Sequence, residues 1–195
     1  DILSLCSEQG HADRPYEFAS TSKITFAGGG IACVAASPGN VAMLKRSFGI
    51  QTIGPDKLNQ LRHVRFLRNP ERVAEIMARH ADILRPKFDT VLSILEQELG
   101  ETGTARWNRP RGGYFISLFV GDGLASRVVA MAKELGVEFT PAGATYPYGR
   151  DPRDHNIRIA PSFPPIAELE TAIRVLCACI RLAAAEKLLA DRSAS

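Results

Sequence analysis

The sequence has 195 residues, of which 45% are apolar and 23% are charged, as in an ordinary globular protein. The 24 Lys and Arg residues and 21 Asp and Glu residues leave a net charge of +3 spread over the whole length, so we expect no contact with nucleic acid. No stretch has the length and apolar character of a membrane span, and no signal-peptide pattern is visible, so we expect a cytoplasmic protein with no membrane partner.

The first part of the sequence reads as the tail of an α/β domain. An apolar pattern is already under way at Asp1, which no initiator Met precedes, so the sequence is expected to start within a domain. Residues 16–19 form a short β-prone run, and residues 31–36 form an apolar run typical of a strand covered on both faces of a sheet. Ser37-Pro38-Gly39-Asn40 is a helix start, and a short helix is predicted after it at residues 41–48. A second helix is predicted from the Gly-Pro-Asp start at residues 54–56 to about residue 67.

A long helix is predicted next. Asn69-Pro70-Glu71 is a helix start, with Asn at the cap and Pro at the first helical position. Apolar residues then recur at helical spacing over residues 70–99, and Pro86 should bend the helix because it removes one backbone hydrogen bond. Such a helix is typical of a connector, so we predict two domains, residues 1–69 and residues 70–195.

The second part predicts a complete α+β small domain. Turn-forming Gly and Pro residues separate short β-prone runs from two helical stretches. Strands are predicted at residues 105–108, 114–120, 137–140 and 157–160, and helices at residues 123–135 and 166–190.

Cysteine and histidine spacing does not predict a metal site. Zinc binding needs paired ligands, and the one close pair, Cys177 and Cys179, has no second pair to complete it. We therefore expect buried free thiols in a reducing compartment. The histidines are expected to be solvated or to serve packing; these residues are His11, His63, His80 and His155.

One candidate for covalent chemistry is Lys23, which follows Ser20-Thr21-Ser22 and precedes Thr25 and a run of three glycines. A lysine among hydroxyls and glycines suits a cofactor held through a Schiff base, because nearby hydroxyls and backbone N–H groups can hold a phosphate. The ordinary alternative is a solvated surface lysine. The glycines match no nucleotide-binding pattern.

Arg158, within Asn156-Ile157-Arg158-Ile159-Ala160-Pro161, is the second candidate. An arginine that is partly enclosed on a strand can bind a carboxylate through two parallel hydrogen bonds, which indicates an acid substrate. The alternative is simple alternation, with Arg158 on the solvent face of an edge strand. Likewise, Gly112-Gly113 before Tyr114 serves an ordinary turn unless a ligand lies close by.

Taken in order, these motifs resemble class I aminotransferases of pyridoxal 5′-phosphate (PLP) fold type I. The segment from Ser20 to Gly28 resembles their Ser-x-Ser-Lys segment, and a bent connector, a Pro-Arg-Gly-Gly-Tyr-Phe strand and an Ile-Arg-Ile-Ala-Pro strand follow. Residues 51–67 and 142–165 are similar to bacterial aspartate aminotransferases close to MocR-type domains. The resemblance covers essentially the whole chain and implies the C-terminal part of that fold: a remnant of the large α/β domain and a complete small domain joined by the long helix.

The resemblance implies a role for each candidate. Lys23 would form the internal aldimine with PLP, and Ser20 and Ser22, with Thr25 less directly, would hold the cofactor phosphate. Arg158 would bind the substrate α-carboxylate. Asn156, Tyr114 and the loop that contains Tyr146 would approach the substrate.

The sequence departs from the family pattern in two ways. Many class I members carry a phosphate-binding Arg eight residues after the lysine, where this sequence has Ile31. The family's Asp at the pyridine nitrogen, Tyr at the ring hydroxyl, Asn and stacking aromatic all precede the lysine. The 22 residues before Lys23 hold no convincing counterpart, so this segment alone is expected to be inactive.

The resemblance favours PLP-dependent transamination between an amino acid, aspartate or another acidic one, and a 2-oxo acid, in a full-length homodimer. Two alternatives stay open at this point. One is a MocR-type regulatory domain that senses PLP or an amino acid, and the other is a different PLP reaction, such as decarboxylation or acyl transfer.

Overall fold

The computed structural model describes residues 1–193 and divides into two compact units, Asp1–His80 and the chain from Ala81 onward. In the first unit, the elements in chain order are α1 (Ile2–Glu8), β1 (Glu17–Ser20), β2 (Ala32–Ala35), α2 (Pro38–Gln51), α3 (Lys57–Leu67) and the start of α4 (Pro70–Leu99). The second holds the rest of α4, then β3 (Ala105–Trp107), β4 (Ile116–Val120), α5 (Ala125–Glu134), a 3₁₀ turn (Pro147–Gly149), β5 (Asn156–Ile159) and α6 (Ile166–Ser193). The unit boundary falls inside α4, and the domain division at residue 70 stays a prediction.

In the first unit, β1 and β2 form an antiparallel pair in which Glu17 lies opposite Ala35 and Ser20 opposite Ala32. Both predicted strands are therefore confirmed. Their side chains are mostly exposed, however, and Phe18 is 74% exposed. The expectation of a strand covered on both faces at residues 31–36 is wrong for the described residues, because β1 and β2 pair only with each other there.

Three helices begin at the starts that the sequence predicts. Ser37, Asp56 and Asn69 each accept a hydrogen bond from the backbone N–H three residues further on, at 3.4, 2.9 and 2.9 Å. Helix α2 continues three residues past its predicted end, to Gln51. Helix α1 is absent from the sequence-based prediction; Asp1 caps it by accepting a hydrogen bond from the N–H of Leu3 at 3.0 Å.

Helix α4 has the predicted bounds and contains Pro86. Proline has no N–H to donate within the helix, and the carbonyl of Pro86 accepts a hydrogen bond from the Thr90 hydroxyl at 2.9 Å. Towards its C-terminus, Val91, Leu95 and Leu99 are fully buried in the second unit. The predicted helix is thus confirmed in position and extent, and its bend stays a prediction.

The second unit is built on a three-stranded antiparallel sheet with β4 between β3 and β5. Side chains alternate along β4, so Ile116, Leu118 and Val120 enter the core while their neighbours lie on the other face. The core that they form with α4, α5 and α6 also includes Ile157 and Ile159 of β5. Each fully buried leucine or isoleucine stabilises the unit by about 1.5–3 kcal/mol.

Two strand predictions need correction. Residues 137–140 form no strand: the N–H of Val137 closes the end of α5 by donating to Ala132 at 2.9 Å, and Val137 and Phe139 pack against the core without a strand partner. The β-prone pattern there reflects burial, not pairing. Strand β4 begins at Ile116, not at residue 114, because the bend that contains Gly113, with φ of 85°, extends through residue 114.

Candidate active site

Lys23 lies on a single helical turn that follows β1. The carbonyl of Thr21 accepts hydrogen bonds from the N–H groups of Ile24 at 2.9 Å and Thr25 at 3.0 Å, which closes the turn. Lys23 is exposed on this turn. These backbone hydrogen bonds hold the chain around Lys23, and its role as the covalent anchor stays a prediction.

Two hydroxyl groups lie beside Lys23. Ser20 Oγ and Ser22 Oγ are 2.6 Å apart, and Ser20 Oγ also accepts a hydrogen bond from the Ser22 N–H at 3.0 Å. Gly30 lies directly against this pair, since a Cβ at that position would be 2.9 Å from Ser22 Oγ. Both serines are exposed, so their hydroxyl protons can turn towards an external anion.

Thr25 faces a different partner. Its hydroxyl lies 2.9 Å from Nε2 of His63, and the Thr21 hydroxyl lies 3.2 Å from the same nitrogen. His63, on α3, is only 1% exposed. The packing role expected for histidines is therefore confirmed at His63. The Thr25 hydroxyl already has this buried partner, and its phosphate-binding role stays a prediction.

Ile31 occupies the position where many class I members carry an arginine. Its backbone exchanges hydrogen bonds with Thr21, through Thr21 N–H to the Ile31 carbonyl at 2.9 Å and Ile31 N–H to Thr21 Oγ1 at 2.9 Å. Its side chain lines an apolar groove of about 260 Å³ together with His63 and Leu67. The expectation that a cofactor phosphate is held by the serine hydroxyls, backbone N–H groups and residues elsewhere stays a prediction.

In the second unit, Arg158 lies on the sheet face that is turned away from the core. It pairs with Ser117 across β4 and β5, is half-buried, and its guanidinium carbon is 4.5 Å from the centre of the Phe115 ring. Its Nε is buried and has no hydrogen-bond partner within the described chain. An enclosed guanidinium with an unused donor matches an acid-binding site better than a freely solvated edge residue.

Asn156 precedes it on the same strand and is 4% exposed. Its Oδ1 accepts a hydrogen bond from the Thr145 hydroxyl at 2.7 Å, and its Nδ2 donates to Ser117 Oγ at 2.9 Å and to the Leu118 carbonyl at 3.2 Å. The amide group therefore holds the loop that contains Thr145 against β4 and β5. Direct contact between Asn156 and a substrate stays a prediction.

A buried pair that the sequence does not single out lies just before β5. The Asp151 carboxylate is 2% exposed and accepts backbone hydrogen bonds from Arg153, His155 and Asn156 at 2.8–3.0 Å, as well as one from Nδ1 of His155 at 2.9 Å. Burial alone would raise the pKa of Asp151, but these donors, with the His155 backbone N–H first, outweigh it and hold the pKa well below its usual range. The only signal in the sequence is an Asp before a Pro-containing turn that leads into a strand.

The two tyrosines that are predicted to approach the substrate lie in turns of this unit. Tyr114 is half-buried and follows the Gly113 turn, and Tyr146 places its ring 6.3 Å from the His155 ring. The structure therefore groups the candidates by unit. Ser20 at the end of β1 lies next to the turn with Ser22 and Lys23 in the first unit, and Arg158, Asn156 and the tyrosines lie around β4 and β5 in the second.

The cysteines do not form a ligand site. Cys177 and Cys179 are buried as expected, and burial raises the pKa of the Cys177 thiol to about 12. Cys33 is exposed and Cys6 half-buried, so the expectation of burial is wrong for Cys33, which lies on the exposed pair β1–β2. Among residues 1–193, His, Cys, Asp and Glu side chains gather in no group that could hold a metal ion.

The protein family follows from comparison with known proteins. A family model described as aspartate amino-transferase matches residues 1–192. The chain belongs to the aspartate aminotransferase family. A Mycolicibacterium smegmatis protein described as an aminotransferase is 49% identical to this aspartate aminotransferase family member over 192 residues, which are 98% of this chain and 45% of the relative. A Corynebacterium glutamicum aspartate aminotransferase is 47% identical over 186 residues, 95% of this chain and 43% of its own length.

The fold is shared with a solved structure. The crystal structure of an aspartate transaminase from Corynebacterium glutamicum is 47% identical and superposes with a TM-score of 0.92 over 96% of this chain and 44% of that chain. The predicted aminotransferase fold of PLP fold type I is thus confirmed. The chain spans less than half the length of these relatives. Their names describe aminotransferases and give no support to the alternative of a MocR-type regulatory domain.

None of the helices in residues 1–193 combines the length and the apolar composition that crossing a membrane requires.

Proposed function

We propose that this chain is the C-terminal part of a PLP-dependent aminotransferase that acts on aspartate or another acidic amino acid, with a 2-oxo acid as the second substrate. The observation that carries the proposal is the exposed Lys23 beside the Ser20–Ser22 hydroxyl pair, in a chain 47% identical to an aspartate transaminase. Activity is proposed for a longer polypeptide that contains this chain, since the matched relatives are more than twice as long.

The donors around Lys23 fit the PLP phosphate. Ser20 and Ser22 supply two exposed hydroxyls, and the absence of a side chain at Gly30 leaves their arrangement undisturbed. Neither hydroxyl carries a charge, and Ile31 stands where many family members have a phosphate-binding arginine. Other groups must therefore compensate the charge of the phosphate. PLP, when bound, acts as an electron sink for negative charge that develops at the substrate α-carbon.

Lys23 Nζ has two proposed tasks. It would first hold the cofactor covalently, next to the serine hydroxyls that would hold the phosphate. As an amine released from the cofactor, Lys23 Nζ would accept the proton from the substrate α-carbon and later return it, acting as base and then as acid. Both tasks require that the turn from Thr21 to Thr25 hold the lysine in one place.

Arg158 is proposed to bind the substrate α-carboxylate. Its guanidinium rests on Phe115 and has an unused Nε donor, so a carboxylate can take up hydrogen-bonding capacity that the protein leaves free. Asn156 would orient this face through Ser117, and Tyr114 would approach the substrate from the adjoining turn. We propose a homodimer in the cytoplasm for the longer polypeptide, as the family resemblance implies.

Replacement of the lysine tests the proposal. In the longer polypeptide, Lys23→Ala should lower transamination of aspartate by about a thousandfold or more, because the covalent anchor and the proton carrier are lost together. Lys45→Ala, which removes another exposed lysine of the first unit, should leave the rate unchanged.

Substrate choice is tested in the same coupled assay by comparing aspartate, glutamate and alanine as amino donors. Full activity in Lys23→Ala would contradict the proposed role of the lysine. A preference for alanine would contradict only the acidic substrate.

A further inference from the structure

One face of α3 contacts the segment that carries Lys23. We name residues 20–31 the Lys23 loop. Asn59, His63 and Phe66 are spaced four and three residues apart, so they share a face of the helix. Asn59 Nδ2 donates to the Gly29 carbonyl at 2.8 Å, His63 meets Thr21 and Thr25, and the ring of Phe66 lies 5.2 Å from that of Phe26, which are all in the loop.

The partners of His63 favour one tautomer of the neutral ring. Nδ1 lies 2.9 Å from the Asn59 carbonyl, which can only accept, so Nδ1 carries a hydrogen. In the neutral ring Nε2 is then an acceptor, and it faces the hydroxyls of Thr21 and Thr25. The buried ring thus joins the α3 backbone to the Lys23 loop through two atoms with distinct roles.

Thr21 extends this contact to both ends of the loop. Its hydroxyl accepts a hydrogen bond from the Ile31 N–H at 2.9 Å, while its backbone closes the turn around Lys23. The Phe26 ring adds an edge-to-face contact with the His63 ring at 5.8 Å. Loss of Nε2 would therefore loosen the turn that carries Lys23, in which Thr25 Oγ1 also donates to Thr21 at 3.2 Å, and the link from Thr21 to Ile31.

We propose that His63 is a positioning residue for Lys23: its Nε2 fixes the Thr21–Thr25 turn, so Lys23 and the Ser20–Ser22 pair keep one geometry towards the cofactor. The role in cofactor binding rests on the proposed function, whereas the effect on the loop does not. His63 touches no reacting group and acts only through the two threonines.

Two substitutions separate the ring nitrogens. A glutamine amide reaches the position of Nε2, so His63→Gln can still accept from a threonine hydroxyl. An asparagine amide reaches only the position of Nδ1, so His63→Asn keeps the Asn59 contact and loses the threonines. His11→Asn, an exposed histidine of the first unit, is the control.

The first measurement is amide hydrogen exchange of the 195-residue chain without cofactor. His63→Asn should speed exchange in residues 21–31 by about tenfold, as expected for the loss of buried hydrogen bonds, with β4 peptides unchanged as an internal reference. His63→Gln should stay near the parent rate. Equal exchange in the loop of all variants, or a uniform increase that includes β4, would overturn the proposal.

The second measurement tests the link to Lys23 in the longer polypeptide. After addition of PLP, reduction with borohydride fixes each PLP–lysine linkage, and peptide mapping measures it at Lys23 and at the exposed Lys45 and Lys57. His63→Asn should lower labelling at Lys23 by about tenfold and leave the other two unchanged, with His63→Gln restoring most of the loss.

The outcomes distinguish the two proposals. Full labelling of Lys23 in His63→Asn would overturn the positioning role and leave the proposed function intact. Labelling of the parent protein that does not favour Lys23 would overturn the proposed function, and the positioning role with it.

Discussion

At the residue scale, Arg158 shows how the surroundings of a side chain bear on its predicted role. The sequence predicts either a strand arginine that binds an acid or a solvated edge arginine, and the pattern alone favours the solvated edge residue. The half-buried guanidinium over Phe115 and the unpartnered Nε favour the acid-binding role. This contact depends on the pairing register of β4 with β5, which brings Arg158 opposite Ser117. The sequence of either strand alone does not determine that register.

Phe115→Leu tests whether the ring holds the arginine for substrate binding. In the longer polypeptide we expect KM for aspartate to rise about threefold to thirtyfold with little change in kcat, since a cation–π contact contributes about 0.5–2 kcal/mol. Phe115→Tyr should behave like the parent. Steady-state kinetics checks this, with Phe119→Leu as the matched control because Phe119 carries Arg106 at 4.4 Å in the same way. A KM unaffected by Phe115→Leu, or raised equally by Phe119→Leu, would contradict the role.

At the element scale, the helix starts were predictable because capping is local. Ser37, Asp56 and Asn69 each accept the hydrogen bond three residues on that their side-chain type predicts. Strands were less predictable because their pairing is not local. Residues 137–140 have a β-prone pattern but no partner strand, and the contact between α3 and the Lys23 loop joins residues about 40 positions apart, so no sequence window contains it.

The loop that leads into β5 gives a pH prediction. Asp151 has a pKa well below its usual value in the folded chain, so its ionised form stabilises the fold above the unfolded pKa of about 3.9. That stabilisation is lost as the pH falls from there towards the folded pKa. Asp151→Asn should lower the free energy of unfolding at pH 7 by about 2–3 kcal/mol and flatten its decline below about pH 4.

Urea unfolding at pH 7 and at pH 3.5 measures this, followed through the fluorescence of Trp107, which lies in the second unit and is the only tryptophan of the sequence. Asp89→Asn replaces an exposed aspartate of the same unit and should leave both values near those of the parent. An equal loss of stability on acidification in the parent and in Asp151→Asn would show that Asp151 is not responsible.

At the scale of the whole molecule, the candidate residues divide between two compact units. The proposed cofactor anchor belongs to the first, and the proposed carboxylate anchor belongs to the second, with α4 continuous in sequence between them. The family resemblance predicts this order from motifs spread over the whole chain. The resemblance does not identify the group that compensates the phosphate charge where Ile31 replaces the family's arginine. In the structure, Ile31 lines an apolar groove.

The last prediction concerns the 195 residues by themselves. The chain spans 43–45% of the curated relatives, and the family groups at the pyridine nitrogen and the ring hydroxyl precede the lysine, so we expect no transamination when this chain is mixed with PLP and aspartate. A coupled assay for the oxo acid product measures turnover, and the longer polypeptide is the positive control. Turnover by the isolated chain would mean that residues 1–195 supply those groups after all.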